Sequence, residues 1–166
     1  MQSVNSAISK LLSVCVLICL TLVANAEILN GTVVGISDGD TITVLDKLSK
    51  QYKVRLMGID APEKSQAFGN EAKQTLSNYI YNKEVSVEYK KLDKYKRIIG
   101  KVTLDGQDIC LQMIVDGMAW HYKAYEKDQT KTDKELYREA EVKAREVNLG
   151  LWYEKQPVSP WLFIQR

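Results

Sequence analysis

The sequence predicts an α+β fold, a five-stranded β-barrel of the OB type with about three α-helices. Two observations predict it. β-Branched and alternating apolar segments fill the first half of the chain, and helical segments interrupt or follow them without alternating regularly with strands. One helical segment falls between the third and fourth strands and the others follow the fifth, an order that suits a small closed barrel.

Five segments have the period-two alternation or the β-branched content of strands. They are residues 28–36, 41–45, 52–59, 85–89 and 98–104. A polar turn at 46–50 separates the second strand from the third, and Asp105-Gly106 is a turn signal after the fifth.

Two segments between and after these strands predict helices. Residues 70–81 place four apolar side chains on one helical face: Ala72, Leu76, Tyr79 and Ile80. Asp108 is a suitable N-cap for a short helix that runs to about residue 116, where Gly117 ends it.

The segment 131–147 predicts a longer and highly charged helix that ends at Asn148-Leu149-Gly150. Its expected apolar stripe consists of Leu136, Ala140, Lys143 or Ala144, and Val147. The tail after Tyr153 contains Pro157 and Pro160, and we expect it to be irregular.

The first 26 residues have the pattern of a secretory signal. Lys10 is their only charged side chain, an apolar run covers 11–24, and Ala24-Asn25-Ala26 matches an A-x-A cleavage site. The run is shorter than the roughly 20 residues that span a bilayer, which disfavours the alternative of a membrane anchor. We therefore expect residues 1–26 to be removed and residues 27–166 to form one domain.

Removal of that leader takes two of the three cysteines and leaves Cys110 as the sole thiol, so that no internal disulfide is expected. Because Cys110 lies within a predicted helix, we expect a buried core thiol; pairing between chains is the alternative. The leader also takes one lysine, so the formal net charge of +2 falls by one. That charge does not by itself indicate nucleic-acid binding, and any electrostatic footprint has to be local.

Acids and arginines occur in short, turn-flanked runs between the predicted strands. Asp38-Gly39-Asp40-Thr41 precedes the second strand, Arg55 lies in the third, Asp60-Ala61-Pro62-Glu63 ends it, and Asp93-Lys94-Tyr95-Lys96-Arg97 precedes the fifth. Acids that collect a hard cation and arginines that clamp a phosphate are what phosphodiester hydrolysis needs. Each run alone is also explained by an ordinary turn, a solvated charge or a helix start, so the hypothesis depends on their joint occurrence.

Other chemistries are disfavoured by the residue inventory. An EF-hand starting at Asp38 is excluded, because its sixth position is Thr43 rather than Gly and its twelfth is Ser49 rather than Glu. His121 is the only histidine, so a two-histidine mechanism and a His-rich zinc site are excluded. It lies in a largely apolar stretch, which favours a structural role over substrate contact.

Local features could contact a nucleic acid. The densest basic run spans 90–97, although a solvated hairpin explains it equally well. Trp120, Tyr122 and Tyr125 could stack on bases as OB-type platforms do, or could belong to the core.

In these residues the chain resembles the staphylococcal nuclease (thermonuclease) family. The matching runs follow in order over nearly all of residues 27–166: Asp38-Gly39-Asp40-Thr41, Arg55-Leu56 to Asp60-Ala61-Pro62-Glu63, Gly69-Asn70-Glu71-Ala72, Asp93-Lys94-Tyr95-Lys96-Arg97, Gly117-Met118-Ala119 and Asn148-Leu149-Gly150-Leu151-Trp152. The resemblance implies this family's OB-type barrel and a Ca²⁺-dependent, sugar-nonspecific nuclease. Its products from DNA and RNA would carry 3′-phosphate and 5′-hydroxyl ends.

The resemblance also implies roles for individual residues. Asp40 and Asp60 would be carboxylate ligands of Ca²⁺, together with the main-chain carbonyl of Ala61 and waters. Glu63 would be the general base. Arg55 and Arg97 would be the two phosphate clamps. Apart from the resemblance, we expect Lys94 of the basic run and Tyr122 and Tyr125 to contact the substrate.

Three departures from the family pattern and two rival functions accompany this hypothesis. Ala61 stands where the best-known member of the family has Thr. The loop after Glu63 is shorter than usual, and Lys96 replaces a Gly; we expect the turn around Lys96 to differ slightly from the family's. A non-cutting binding module and a structural calcium protein are the rivals, and the presence of all five expected site residues disfavours both.

We expect a monomer in the periplasm or outside the cell that prefers single strands and has no membrane association after cleavage.

Overall fold

The structure, a computed structural model, describes residues 26–164. The predicted leader, apart from Ala26, lies outside the described residues. Within them the strands are β1 (Glu27–Ile36), β2 (Thr41–Leu45), β3 (Gln51–Leu56), β4 (Ile59–Asp60), β5 (Glu84–Leu92), β6 (Ile98–Leu104), β7 (Gln107–Asp108) and β8 (Trp120–His121). The α-helices are α1 (Gly69–Ile80), α2 (Ile109–Val115), α3 (Lys131–Glu146) and α4 (Pro160–Phe163), with 3₁₀ helices at Lys123–Asp128 and Gly150–Tyr153.

Five strands close into a barrel. Antiparallel pairs join β3 to β2, β2 to β1, β1 to β5 and β5 to β6. A parallel pairing of β3 with β6, in which Val54 faces Ile98, closes the ring. The α+β fold with a five-stranded OB-type barrel is therefore confirmed.

Alternation along the strands fills the barrel interior, because successive side chains point to opposite faces. The inward positions are β-branched or leucine residues that are almost fully buried: Val33, Ile42, Val44, Val54, Leu56, Val85, Val87 and Val102. Helix α1 adds Ala72, Leu76 and Ile80 to the same core, as its predicted apolar face requires. Tyr79, also predicted on that face, is half-buried and donates a hydrogen bond to Asp116 instead.

The predicted strands agree with the observed ones except at the end of the third. The predicted segment 52–59 is divided, because Gly58 adopts φ +76° after Leu56 and turns the chain. The remainder becomes β4, which pairs with the unpredicted β8. This short second sheet lies outside the barrel ladder.

Helix α2 forms as its cap predicts. The Asp108 carboxylate accepts a hydrogen bond of 3.0 Å from the Leu111 N–H, and Gly117 with φ +66° ends the segment. Cys110 of this helix is buried and free, which confirms the expected core thiol.

Helix α3 has the predicted extent, and its predicted apolar stripe is confirmed at Ala140 and Ala144 but wrong at Leu136 and Val147. Leu136 and Val147 are 44% and 68% exposed. The buried face instead consists of Asp133, Tyr137, Ala140, Glu141 and Ala144. Charged residues take buried positions because partners satisfy them: the Asp133 carboxylate, for example, accepts a 2.6 Å hydrogen bond from Lys101 Nζ.

The tail is more ordered than predicted. After the 3₁₀ helix at Gly150–Tyr153, the chain forms the short helix α4, whose first residue is the buried Pro160. Among residues 26–164, every helix is too short or too polar to cross a bilayer.

Candidate active site

All nine residues singled out from the sequence line one open cleft of about 600 Å³ at one end of the barrel. They are Asp40, Arg55, Asp60, Ala61, Glu63, Lys94, Arg97, Tyr122 and Tyr125. The cleft is polar on the barrel side, and aromatic residues form its other wall.

Strand register brings these side chains together. Thr41 pairs with Arg55 across β2 and β3, and the Leu56 N–H donates a 2.8 Å hydrogen bond to the carbonyl of Asp40. The closing pair of β3 and β6 places Ile99 beside Arg55. The turn before β6, which carries Arg97, therefore meets the end of β3.

Arg55 bridges the two acids at the base of the cleft. One guanidinium nitrogen, Nη2, lies 3.1 Å from Asp40 Oδ2 and 2.5 Å from Asp60 Oδ1. The other, Nη1, donates to the carbonyls of Leu56 and Ile59 at 3.2 and 2.9 Å. These bonds hold Arg55 in one orientation, and its side chain is only 15% exposed.

Burial changes the titration of this cluster. Desolvation raises the pKa of Asp40 to about 7, although the positive charge of Arg55 opposes the shift and Asp38 and Asp60 add to it. Desolvation likewise raises the pKa of Asp60 to about 6, again against Arg55, with the charge of Glu63 contributing. At both acids desolvation therefore outweighs the attraction of Arg55.

When both are ionised, the two buried carboxylates outnumber the one guanidinium between them, and this net negative charge fits a hard divalent cation. Both carboxylates contact the same nitrogen of Arg55, so their oxygens face one space. Asp40 is already oriented, since its Oδ2 accepts a 2.8 Å hydrogen bond from the Ala61 N–H and its Oδ1 one of 3.0 Å from the Thr41 hydroxyl. No cluster of three or more His, Cys, Asp and Glu occurs in residues 26–164, so any cation here would depend on backbone and water oxygens as well.

Glu63 is half-buried in the loop between β4 and α1. Its N–H donates a 2.8 Å hydrogen bond to the Gln66 side-chain oxygen, and Gln66 in turn donates 2.9 Å to the carbonyl of Val158. Gly69 allows this loop to close, since a Cβ there would lie 2.0 Å from the carbonyl oxygen of Glu63. Gln66 thus connects Glu63 to the C-terminal tail, a contact that no local pattern could have revealed.

Arg97 is held by the turn that contains it. The Asp93 carboxylate accepts a 2.7 Å hydrogen bond from Arg97 Nε and one of 2.9 Å from the Arg97 N–H. Desolvation raises the pKa of Asp93, but its hydrogen bonds to Arg97 and Tyr95 and the charge of Arg97 outweigh this effect, so that the pKa is lowered. Asp93 therefore stays ionised beside the Arg97 guanidinium. Lys96 adopts φ +62°, a left-handed position that glycine would accept without strain. That this turn differs from the family's stays a prediction.

Four aromatic residues line the cleft: Tyr95, Tyr122, Tyr125 and Trp161. Tyr122 and Tyr125 have ring centroids 4.9 Å apart, and Trp161 of α4 lies 5.4 Å from Tyr122. Tyr122 is half-buried and Tyr125 is 43% exposed, which leaves ring surface open to the cleft. Lys94 on the opposite rim is exposed. Sequence reasoning missed Trp161 because an irregular tail was expected there.

His121 is a structural residue, as its sequence context predicted. It is 2% exposed, and its Nε2 lies 2.9 Å from the Gln129 side-chain oxygen. Its N–H donates 3.1 Å to the buried Glu141 carboxylate, which fixes β8 against α3. Since β8 pairs with β4, this contact also supports the strand that carries Asp60.

The cleft thus places two fixed arginines, a loop carboxylate and a cation-compatible pair of acids around one space. This arrangement can bind a phosphate, neutralise charge on it and remove a proton from water. It therefore defines an enzyme of the phosphodiester-cleaving type.

Comparisons with known proteins agree. Residues 53–154 match the family described as staphylococcal nuclease homologue. An uncharacterized endonuclease of Haemophilus influenzae is 46% identical over 128 residues, which cover 77% of this chain and 68% of that protein. The micrococcal nuclease of Shigella flexneri is 42% identical over 141 residues, 79% of this chain and 78% of that one. An uncharacterized 38.1 kDa protein of the plant Capnoides sempervirens is 39% identical over 116 residues, 70% of this chain but only 32% of that protein.

The chain belongs to the staphylococcal nuclease homologue family. The family predicted from the sequence is therefore confirmed, and so is the predicted class of enzyme, a hydrolase of the nuclease type.

Proposed function

We propose that this nuclease is Ca²⁺-dependent and sugar-nonspecific, and that it hydrolyses DNA and RNA to products with 3′-phosphate and 5′-hydroxyl ends. The observation that carries the proposal is the convergence of Asp40, Arg55, Asp60, Glu63 and Arg97 on one cleft. Contacts that such a cleft makes with the sugar–phosphate backbone carry no base information, which agrees with low sequence specificity.

In the proposed mechanism Glu63 accepts a proton from the water that attacks phosphorus in line with the leaving 5′ oxygen. Arg55 and Arg97 neutralise the charge that develops on the phosphorane oxygens, and their hydrogen bonds to fixed acids keep them in place beforehand. The bound cation supplies further positive charge at the phosphate. Asp40, Asp60 and the Ala61 carbonyl would hold that cation.

Lys94, Tyr122 and Tyr125 are proposed as substrate contacts. Lys94 is exposed at the cleft rim, where it can meet a phosphate, and the tyrosine rings offer stacking surface for unpaired bases. Unpaired bases are accessible in single strands, so these strands should be preferred over duplexes.

The activity is tested with purified residues 27–166 on single-stranded DNA and RNA, in Ca²⁺ and in chelator. Wild type should cut both substrates only with Ca²⁺, and Glu63→Gln should cut neither. The matched control is Glu71→Gln, an exposed acid of α1 that should leave cutting intact. If the folded wild type binds strands in Ca²⁺ without cutting them, the assignment of a nuclease is wrong.

We further propose that the protein is exported after removal of residues 1–26, to the periplasm or the medium, and acts as a monomeric single domain. The basis is the leader pattern of Lys10, the apolar run and Ala24-Asn25-Ala26. N-terminal sequencing of the protein recovered from its host should begin at Glu27. A start at Met1 would contradict this proposal.

A further inference from the structure

A second groove adjoins the cleft on the far side of α4. It has a volume of about 730 Å³, and Tyr122 and Trp161 line both the cleft and this groove. The two spaces therefore adjoin at these rings. Among the residues that line this groove, only Tyr122 is proposed above as a substrate contact.

Aromatic rings form a row from the cleft into the groove. Successive ring centroids from Tyr125 through Tyr122, Trp161 and Trp120 to Trp152 are 4.9, 5.4, 6.3 and 5.2 Å apart. Trp120 and Trp152 are buried, whereas Tyr122 and Trp161 keep exposed ring area. The accessible part of this aromatic row thus spans the boundary between cleft and groove.

The exposed charge of the groove is positive. Its cations are Lys123 and Arg145, with side chains 62% and 50% exposed, and Arg145 stacks 4.0 Å above the ring of Trp152. The acid in the lining, Glu141, has a side chain only 6% exposed. It accepts a hydrogen bond from the His121 N–H and forms ion pairs with Arg145 at 3.2 Å and Lys123 at 3.9 Å. The groove therefore offers cations and ring faces to a ligand while its acid is covered.

Trp161 belongs to the part of the chain outside the family match, which ends at residue 154. The tail is nevertheless fixed, since Gln66 donates to the Val158 carbonyl and Ser159 and Pro160 are buried. A fixed tail that presents a tryptophan at the mouth of a nuclease cleft adds binding surface to the barrel.

We propose that this groove binds the single-stranded nucleic acid that extends from the cleft, with a base stacked on Trp161 and the backbone near Lys123. Stacking on an aromatic ring and cations along the strand are the two contacts that single strands require. The identity of the ligand rests on the proposed function, because it is the continuation of that substrate.

Strand length gives the test, because only a long strand can occupy both spaces. Affinities are measured in chelator by fluorescence anisotropy, with labelled oligothymidylates of about four and about twelve nucleotides. Wild type should prefer the longer strand, and Trp161→Ala should reduce the ratio of the two affinities by about tenfold. Because Trp161 also borders the cleft, its loss should weaken binding of both strands. The ratio of the two affinities isolates the effect on the longer strand. Leu162→Ala, an exposed neighbour on the same helix, should leave the ratio unchanged.

Lys123→Gln tests the electrostatic part with a side chain whose loss should not affect folding. It should lower the slope of log affinity against log salt for the longer strand by about 0.7, the value for one phosphate contact. Lys127→Gln on the same 3₁₀ helix is the control and should not change the slope.

The inference is wrong if the length ratio of Trp161→Ala and the salt slope of Lys123→Gln both equal those of wild type. If Trp161→Ala does not fold, Trp161→Phe should fold and keep most of the ratio, and Lys123→Gln remains decisive. Because these affinities are read on uncut strands, they are independent of catalysis. If the preference for the longer strand is lost in the variants, the groove is supported as a binding site even when wild type does not cut. If wild type cuts but the variants keep the preference, only the proposed role of the groove is contradicted.

Discussion

Two hairpin turns of the barrel have the same backbone geometry, but only one of them faces the cleft. Residues 46–50 join β2 to β3, and residues 93–97 join β5 to β6. In each turn an aspartate at the first position accepts hydrogen bonds from the N–H groups two and four residues later. In each, the fourth residue adopts φ +62°.

The turns differ in what the second carboxylate oxygen does. Asp46 Oδ2 accepts a 3.0 Å hydrogen bond from the Tyr52 hydroxyl, whereas Asp93 Oδ2 accepts one of 2.7 Å from Arg97 Nε. The same local turn chemistry therefore occurs twice, and the turn at the cleft carries Arg97 at its last position, where the other turn carries Lys50. Its place beside the acids comes from the distant pairing of β3 with β6, which turn 46–50 does not share.

The largest expected effect on turnover comes from substituting the last residue of a turn, Arg97 in one turn and Lys50 in the other. Arg97→Ala should lower turnover by roughly 10²-fold or more, as loss of a preorganised donor to the transition state does. Lys50→Ala, the equivalent substitution in the other turn, should leave turnover unchanged. Initial rates on single-stranded DNA, with melting curves to show that both variants fold, provide the measurement. A near-wild-type rate for Arg97→Ala would contradict its assigned role.

The two aspartates should separate stability from activity. Asp93→Ala and Asp46→Ala each remove the acceptor of two backbone N–H groups, so both should lower Tm by a few degrees. Only Asp93→Ala should also lower turnover, by about tenfold, because Arg97 remains but loses its fixed orientation. Parallel thermal melts and initial rates measure both effects. Equal turnover in the two variants would show that Asp93 does not position Arg97.

Turn acids and cleft acids should respond to pH with opposite sign. The pKa of Asp93 is lowered, so its contribution to stability is present above the unfolded value of 3.8 and is lost at more acid pH. The pKa values of Asp40 and Asp60 are raised to about 7 and about 6, so the cation-free protein loses stability as pH rises from 3.8 through those values.

Urea unfolding in chelator at the two ends of that pH window measures the difference. At the neutral end, Asp60→Asn should exceed wild type in unfolding free energy by at least about 1 kcal/mol, roughly the equivalent of one pKa unit. At the acid end the two should be equal. Asp93→Asn is the control and should be less stable than wild type at the neutral end. At the neutral end, added Ca²⁺ should raise the unfolding free energy of wild type more than that of Asp60→Asn. The raised pKa of Asp60 would be contradicted if the difference in unfolding free energy between these two proteins in chelator did not change with pH.

Local chemistry explains which features the sequence could predict. The strands and the Asp108 cap follow from patterns a few residues long. The nine candidate residues of the cleft came from the resemblance to a family and from the basic and aromatic runs, and the structure brings these nine together. Features decided by distant contacts were not predictable. Leu136 was placed on the apolar stripe of α3 by its spacing, yet the buried face includes Glu141, whose carboxylate contacts β8 and Arg145. The contact of Gln66 with Val158 spans 92 residues and has no local signal.

The smallest expected effect concerns the fourth residue of each turn, Lys96 in one and Ser49 in the other. A non-glycine residue at φ +62° costs about 1 kcal/mol or more, and glycine would relieve this strain but lose more backbone entropy on folding. Lys96→Gly should therefore raise the unfolding free energy by less than about 1 kcal/mol, and Ser49→Gly in the other turn should do the same. Turnover should not change in either variant, because Asp93 rather than residue 96 orients Arg97. If Lys96→Gly alone raised turnover severalfold, lysine at this position would be displacing Arg97, and the two turns would differ in strain as well as in location.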